Sequence, residues 1–127
     1  MLRRAHRMRE AGDFKVAVRR GAKASTPTLV AHLSIGTDGD TSVGFVVSKA
    51  VGPAVVRNRV KRRLRHLVAP HLVDGASPSV PQGSKLVVRA LPASARADSV
   101  RLGADLGVAL TTAVRKAEQR MPAGAGR

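Results

Sequence analysis

The segment from Arg57 to Arg65 concentrates the side chains of this chain that are best suited to chemistry. Its cations and its one amide are Arg57, Asn58, Arg59, Lys61, Arg62, Arg63 and Arg65. Guanidinium groups hold phosphates through parallel N–H donors, and an Asn side chain can bind a sugar or a base edge. No acidic residue lies within four positions of these cations, so nothing in the segment offsets their mutual repulsion. The pattern therefore predicts a surface that binds polyanions, rather than a solvated helix face that happens to be rich in Arg.

The charge of the whole chain also indicates a polyanionic partner. Its 127 residues include 23 Lys and Arg against 8 Asp and Glu, which gives a formal charge of +15. Such an excess repels itself in a compact monomer, and a nucleic acid offsets it better than an anionic membrane does. Most of the basic residues are Arg, a bias that either phosphate recognition or a GC-rich genome would produce.

The sequence indicates no other kind of reactive site. There are no Cys residues, the eight acids form no evident close pair, and His6, His32, His66 and His71 match no metal-ligand spacing. We therefore expect no catalytic residue and no metal site, which argues against a self-sufficient nuclease. Met1 to Glu10 lacks the apolar stretch of a secretory signal, and no run reaches the ~20 apolar residues of a membrane helix. We expect a cytoplasmic protein with no membrane partner.

The cationic segment lies within a predicted helix from about Ala54 to Val68. Gly52 and Pro53 suit a helix start, and Pro70 disfavours helix at the residue before it. One side of this helix is apolar and should pack on a sheet. That side consists of Val56, Val60, Leu64, Leu67 and Val68, flanked by Arg57, Arg59 and Arg63.

The rest of the chain predicts a small sheet. Residues 28–36 and 41–48 are rich in β-branched residues and are separated by the turn signal TDGD, so we expect a hairpin. Phe45 lies in the second of these strands and is predicted to be a core residue. A further strand is predicted from Lys85 to Leu91.

Two more helices complete the predicted elements. Asp13 can cap a short helix from Phe14 to Arg20, and Leu residues at spacing four predict a helix from Ser99 to about Glu118. Helices packed against a small sheet make an α+β protein. We expect one RNA-binding domain over residues 1–120 and a disordered tail over 121–127.

The central segment resembles the signature of the bacterial ribonuclease P protein family. The similar stretch is KAVGPAVVRNRVKRRLRHLV, from Lys49 to Val68, with the family's RNR triplet at its centre. RRAHRMREAGDFKVAVRRG is similar to the family's N-terminal basic stretch and first helix. VGFVVSK resembles its central strand and LVVRALPAS its last strand, so the similarity extends over most of the chain.

The resemblance implies an α-β-β-β-α-β-α two-layer sandwich with a left-handed βαβ crossover, against the general right-handed rule. The extra strand of that fold would lie near Ala22 to Ser25. In the family, the RNA subunit carries out the metal-dependent hydrolysis that removes the 5′ leader from precursor tRNA, and the protein assists it. The implied partners are the catalytic RNA and precursor tRNA, with no DNA. Mg²⁺ is expected for the holoenzyme, and no cofactor for the protein alone.

The resemblance also implies roles for particular residues. The RNR helix and its neighbours would contact the catalytic RNA, and the leader would pass through a cleft between the first helix and the sheet face. The cleft would be lined by Phe14, Val18, His32, Ser48 and Lys49, and the basic arm would consist of Arg3, Arg4, Arg7 and Arg9. Phe14 could stack on a leader base, for ~1–3 kcal/mol, or pack beneath the first helix.

The chain departs from the family pattern at three positions. The family tends to carry aromatic residues where this chain has Val18 and His32, and a Lys where it has Ala50. Leader binding is therefore expected to depend more on Arg and backbone contacts. A different small basic RNA-binding protein, such as a ribosomal protein, is the alternative. The order of the Phe14 helix, the VGFVVSK strand and the RNR helix favours the processing function.

Overall fold

The structure is a computed structural model that describes Arg19 and residues 21–36, 40–73 and 75–119. Several predictions fall outside these ranges: the helix from Phe14 apart from Arg19, the cleft residue Val18, and the tail from residue 121. The same holds for the basic arm of Arg3, Arg4, Arg7 and Arg9.

A four-stranded sheet forms the centre of the described fold. Its strands are β1 (Ala22–Ser25), β2 (Leu29–Ser34), β3 (Ser42–Val46) and β4 (Lys85–Ala90), in the spatial order β1-β2-β4-β3. β2 pairs antiparallel with β1 and with β4, whereas β3 pairs parallel with β4. The short strand near Ala22, which followed from the family resemblance, is thereby confirmed.

The predicted hairpin between residues 28–36 and 41–48 is wrong. Both segments contain strands, but β4 lies between them and pairs with each. The turn signal correctly indicates a reversal of direction, since β2 and β3 run antiparallel. It could not indicate that the connection spans two strand spacings, about 10 Å, and leaves room for a strand from later in the chain. The tight hairpin of this fold is instead β1–β2, where the Thr26 amide donates to the Leu29 carbonyl at 2.8 Å.

Two long helices follow the sequence-based bounds closely. Helix α1 spans Ala54–Val68 with Pro53 as its N-cap, and helix α2 spans Ser99–Gln119. Pro53 suits the start of α1 because its φ of −61° is already helical. Pro70 ends the regular helix, and the chain continues as one turn of 3₁₀ helix, Ala69–Leu72. No helix in the described ranges combines the length and the apolar character needed to cross a membrane.

Both helices pack on the same face of the sheet, so the described elements form two layers. On α1, Val60, Leu64 and Val68 are completely buried, as the predicted apolar side requires. They belong to one core that also contains side chains from β2, β3, β4 and α2. Phe45 is half-buried and packs against this core, so it lies at its margin and not at its centre.

Strands β3 and β4 are parallel neighbours joined through α1, which makes a βαβ unit. The described order β-β-β-α-β-α agrees with the expected fold class. The left-handed sense of the crossover stays a prediction.

Candidate nucleic-acid interface

The outer side of α1 is a polar ridge facing solvent. Because Val60 and Leu64 are fixed in the core, Asn58 and Arg62 project away from the sheet and are exposed. Lys61 and Arg65 lie beside them and are partly exposed. The structure therefore brings together the four side chains that the helical periodicity placed on this side.

Three arginines on the flanks of α1 donate to backbone carbonyls. Arg57 Nε donates to the Gly52 oxygen at 3.1 Å, at the start of the helix itself. Arg59 Nη2 donates to the Ala95 oxygen at 3.3 Å, and Arg63 Nη1 to the Ala97 oxygen at 3.2 Å. Those two carbonyls belong to the segment that connects β4 to α2.

These contacts leave the positive charge of α1 in place. A carbonyl is a neutral acceptor, and in the ranges that the structure describes no carboxylate forms an ion pair with a side chain of α1. The ion pair present there joins Arg101 to Asp105 within α2, at 3.2 Å. The cations of α1 therefore form a continuous surface that retains its charge.

The face of the sheet opposite the helices is a second basic surface. Strand alternation places Lys23, His32 and Val87 side by side on this face, and Arg89 lies one pair further along. Lys23 and Arg89 are exposed, whereas His32 keeps only 7% of its surface. His32 is thus nearly covered on this face, whereas the two flanking cations are accessible.

His32 is held in its neutral form by its surroundings. Burial is the main cause that lowers its pKa, and the charges of Arg89 and Lys23 lower the pKa further. Its Nδ1 atom is buried without a hydrogen-bond partner. A neutral imidazole with a free ring nitrogen can accept or donate one hydrogen bond, depending on its tautomer.

Ser48 and Lys49 lie apart from His32. Both are exposed and follow β3, where their carbonyls accept hydrogen bonds from the amides of Val51 and Gly52 at 3.0 and 3.1 Å. Because β4 separates β3 from β2, a single surface that includes them and His32 must extend across three strands, about 10 Å. The structure brings them to the start of α1 instead.

Sequence reasoning missed Lys23 and Arg89. The signal that could have identified Arg89 is the alternation in β4, where Lys85, Val87 and Arg89 share one face. Using that signal required knowing that β4 is next to the strand of His32. The incorrect hairpin concealed this neighbourhood.

Among the described acidic residues, Asp105 is buried and contributes to the packing of α2. Asp105 accepts a hydrogen bond from the Thr28 hydroxyl at 2.6 Å, which, together with Arg101, lowers the pKa of Asp105 although burial opposes the shift. This contact ties α2 to the beginning of β2. Among the described residues, no group of three or more His, Asp or Glu could hold a metal ion.

Comparisons with known proteins agree with this geometry. The family model described as Ribonuclease P matches residues 2–114. A Ribonuclease P protein component of a Nocardioides species is 50% identical over 109 residues, covering 84% of this chain and 89% of the relative. The corresponding protein of Streptomyces bikiniensis is 52% identical over 119 residues, covering 87% and 93%.

Solved structures share the fold at lower sequence identity. The RNase P protein of Staphylococcus aureus superposes with a TM-score of 0.73 at 22% identity, covering 85% of this chain and 94% of that one. The RNase P protein of Thermotoga maritima gives a TM-score of 0.65 at 22% identity, covering 86% and 96%. The family match favours the processing function over the ribosomal alternative. With its two-layer fold, its basic RNR helix and relatives at half identity over nearly their full length, this chain belongs to the ribonuclease P protein family, the protein subunits of a ribonucleoprotein endoribonuclease.

Proposed function

We propose that this subunit grips the catalytic RNA with the outer side of α1 and the 5′ leader of precursor tRNA with the second basic face of the sheet. The observation that carries the proposal is the cationic surface of α1, which no described carboxylate neutralises. A rigid helix anchored by the completely buried Val60, Leu64 and Val68 presents those charges at set positions. Binding releases counterions from the RNA, which makes affinity fall as salt rises.

The sheet face suits a single strand better than a duplex. Its exposed cations, Lys23 and Arg89, lie beside the nearly covered His32, while Val87 is completely buried. Exposed cations that follow the backbone are typical of single-strand binding. Ser48 and Lys49 would contribute at the far side of the sheet. A stacking role for Phe14 also stays a prediction, because Phe14 lies outside the described residues.

The hydrolysis is assigned to the RNA in this proposal. In the family the RNA subunit carries out the metal-dependent hydrolysis, so the Mg²⁺ expected for the reaction would act together with the RNA. The chain's own part is to bind and orient. Precursor tRNA processing in the cytoplasm is the corresponding cellular role.

The α1 part of the proposal is tested by single charge removals. Arg62→Ala should weaken binding of the catalytic RNA, since it removes one phosphate contact. The slope of log affinity against log salt concentration should become smaller by about one. Ala is a good helix former, so α1 should stay intact. Arg115→Ala removes the same charge from an exposed position on α2 and serves as the control. Equal losses for the two variants would mean that only net charge matters, and the proposal would fail.

The leader part is tested in the reconstituted holoenzyme. Arg89→Ala should weaken binding of precursor tRNA with a leader more than binding of tRNA without one. The reason is that Arg89 contacts the substrate only when a leader is present. Arg62→Ala should affect both substrates alike. If Arg89→Ala showed no preference between the substrates, the assignment of the sheet face to the leader would be wrong.

A further inference from the structure

Arg59 and Arg63 each donate a hydrogen bond to an uncharged backbone carbonyl. They lie one turn apart on α1 and donate to the carbonyls of Ala95 and Ala97, two residues apart in the chain. These carbonyls belong to the junction between β4 and α2, which contains the 3₁₀ turn Pro92–Ala95 and ends at Asp98. The two bonds therefore hold two guanidinium groups against one short segment of backbone.

The contacts orient each guanidinium without neutralising it. Arg59 uses Nη2 for its carbonyl, and its Nε is buried without a hydrogen-bond partner, so the Nε–Nη2 edge of the group faces the protein. Arg63 uses Nη1. A guanidinium has five N–H donors in a rigid fork, so most donors of each group remain for another acceptor. A Lys side chain that donates to a carbonyl cannot also present further donors in a fixed orientation, because its ammonium has no fixed plane.

The junction is itself fixed by the cap of α2. The Asp98 carboxylate accepts a hydrogen bond from the Arg101 amide at 2.8 Å, and the Leu102 amide donates to the Asp98 carbonyl at 3.0 Å. Asp98 is thus the N-cap of α2 and directly follows Ala97. Loss of the cap would loosen the carbonyls that orient the two arginines.

We propose that the β4–α2 junction pre-orients Arg59 and Arg63 as a paired phosphate clamp for the catalytic RNA. This inference rests on the proposed function of α1 and adds a requirement for geometry as well as charge. Pre-orientation raises affinity because less side-chain freedom is lost on binding. RNA affinity therefore depends on residues of the junction that touch no RNA, and Asp98 is a positioning residue.

The sharpest experiment uses Asp98, because charge and geometry predict opposite signs there. Asp98→Ala removes a negative charge, which by electrostatics alone should tighten RNA binding. The clamp predicts weaker binding, by about three- to tenfold, since the cap is lost. Asp98→Asn removes the same charge but keeps a good cap, so its affinity should equal or exceed that of the parent. Affinity is measured on the full chain with the catalytic RNA, at a temperature where circular dichroism shows each variant folded.

A second set of variants keeps charge constant. Arg59→Lys with Arg63→Lys should weaken RNA binding about three- to tenfold with an unchanged salt slope, because cations are retained and their orientation is not. Arg115→Lys, at an exposed position of α2 outside the proposed RNA-binding surface, should stay close to the parent. If the two arginines served only to stabilise the fold, the Lys double variant would have a lower free energy of unfolding. It would not show weaker RNA binding at an unchanged salt slope.

Two outcomes would overturn the clamp. One is an Asp98→Ala variant that binds as tightly as Asp98→Asn, and the other is a Lys double variant that binds like the parent. If Arg62→Ala weakens binding while either result holds, the clamp alone fails and the RNA-binding role of α1 stands. If Arg62→Ala has no effect either, the proposed function fails with it. A Lys double variant that does not fold leaves the Asp98 pair to decide.

Discussion

His32 shows how the fold sets the protonation state of a single side chain. The family resemblance placed it among the cleft residues, and the structure buries it beside two cations on the sheet. Its neutral form is therefore favoured by the fold. In the unfolded chain the same imidazole gains a proton more easily.

That difference makes stability depend on pH in a defined direction. Because the pKa of His32 is lowered in the folded protein, the unfolded state binds more protons between the folded value and the ordinary value of 6.5. The contribution of His32 to the free energy of unfolding is fully present above that ordinary value. It is lost as the pH falls through 6.5 toward the folded pKa. Urea unfolding of the parent and of His32→Gln between about pH 8 and pH 5 checks this, and the variant should show a shallower decline. Parallel curves would show that His32 is not the group responsible.

At the scale of the elements, the helices were predicted far better than the pairing of the strands. Helix α1 was predicted residue for residue, because prolines mark its ends and its apolar side repeats along 15 residues. Strands β2, β3 and β4 lie near the positions that their residues predicted, whereas β1 followed only from the family resemblance. Their order was not, since β-branched composition reports that a segment is extended and says nothing about its neighbour. One partner of β2 is its neighbour β1, but the other, β4, lies more than 50 residues away.

The candidate site divides in the same way. The exposed residues of α1 follow from helical periodicity alone. Lys23 and Arg89 required the sheet order, and the carbonyl contacts of Arg59 and Arg63 required the tertiary placement of the junction. Such long-range contacts leave no local trace in a single sequence.

The contact between α2 and β2 gives a prediction at this scale. Thr28→Val keeps the shape of the side chain but removes the hydroxyl that donates to the buried Asp105 carboxylate. We expect the free energy of unfolding to fall by about 1–3 kcal/mol, the usual cost of leaving a buried acceptor short of a partner. Thr111→Val, at an exposed position of α2 where the hydroxyl bonds the helix's own backbone, should change it by less than about 0.5 kcal/mol. Equal effects in chemical denaturation would show that the Asp105 contact has no special weight.

The molecule as a whole carries a charge of +15 that its own acids cannot balance. Self-repulsion should destabilise the free protein at low ionic strength, because the Debye length then exceeds the spacing between its cations. Bound RNA replaces repulsion by attraction. The free and bound protein should therefore respond to salt in opposite directions.

Thermal unfolding in potassium chloride tests this reversal. Between about 0.01 M and 0.15 M salt, the melting temperature of the free protein should rise as repulsion is screened. With the catalytic RNA present, the same change should lower the melting temperature, since binding weakens and its stabilisation is lost. A free protein that is indifferent to salt would mean that its cations lie too far apart to repel one another appreciably.

The position of β4 has a consequence for how the protein is made. This strand is the last of the four to leave the ribosome, and it takes the place between the two that it joins. Until residue 90 has emerged, β2 and β3 each have an open edge toward the gap, and only the β1–β2 pair can form. The apolar surface of these strands therefore stays uncovered in the nascent chain until β4 is synthesised, about 40 residues after β3. The basic helix α1 is thus synthesised before the sheet that supports it is complete. An RNA that binds the nascent chain at this stage would contact the cations of α1 before the sheet beneath them has formed.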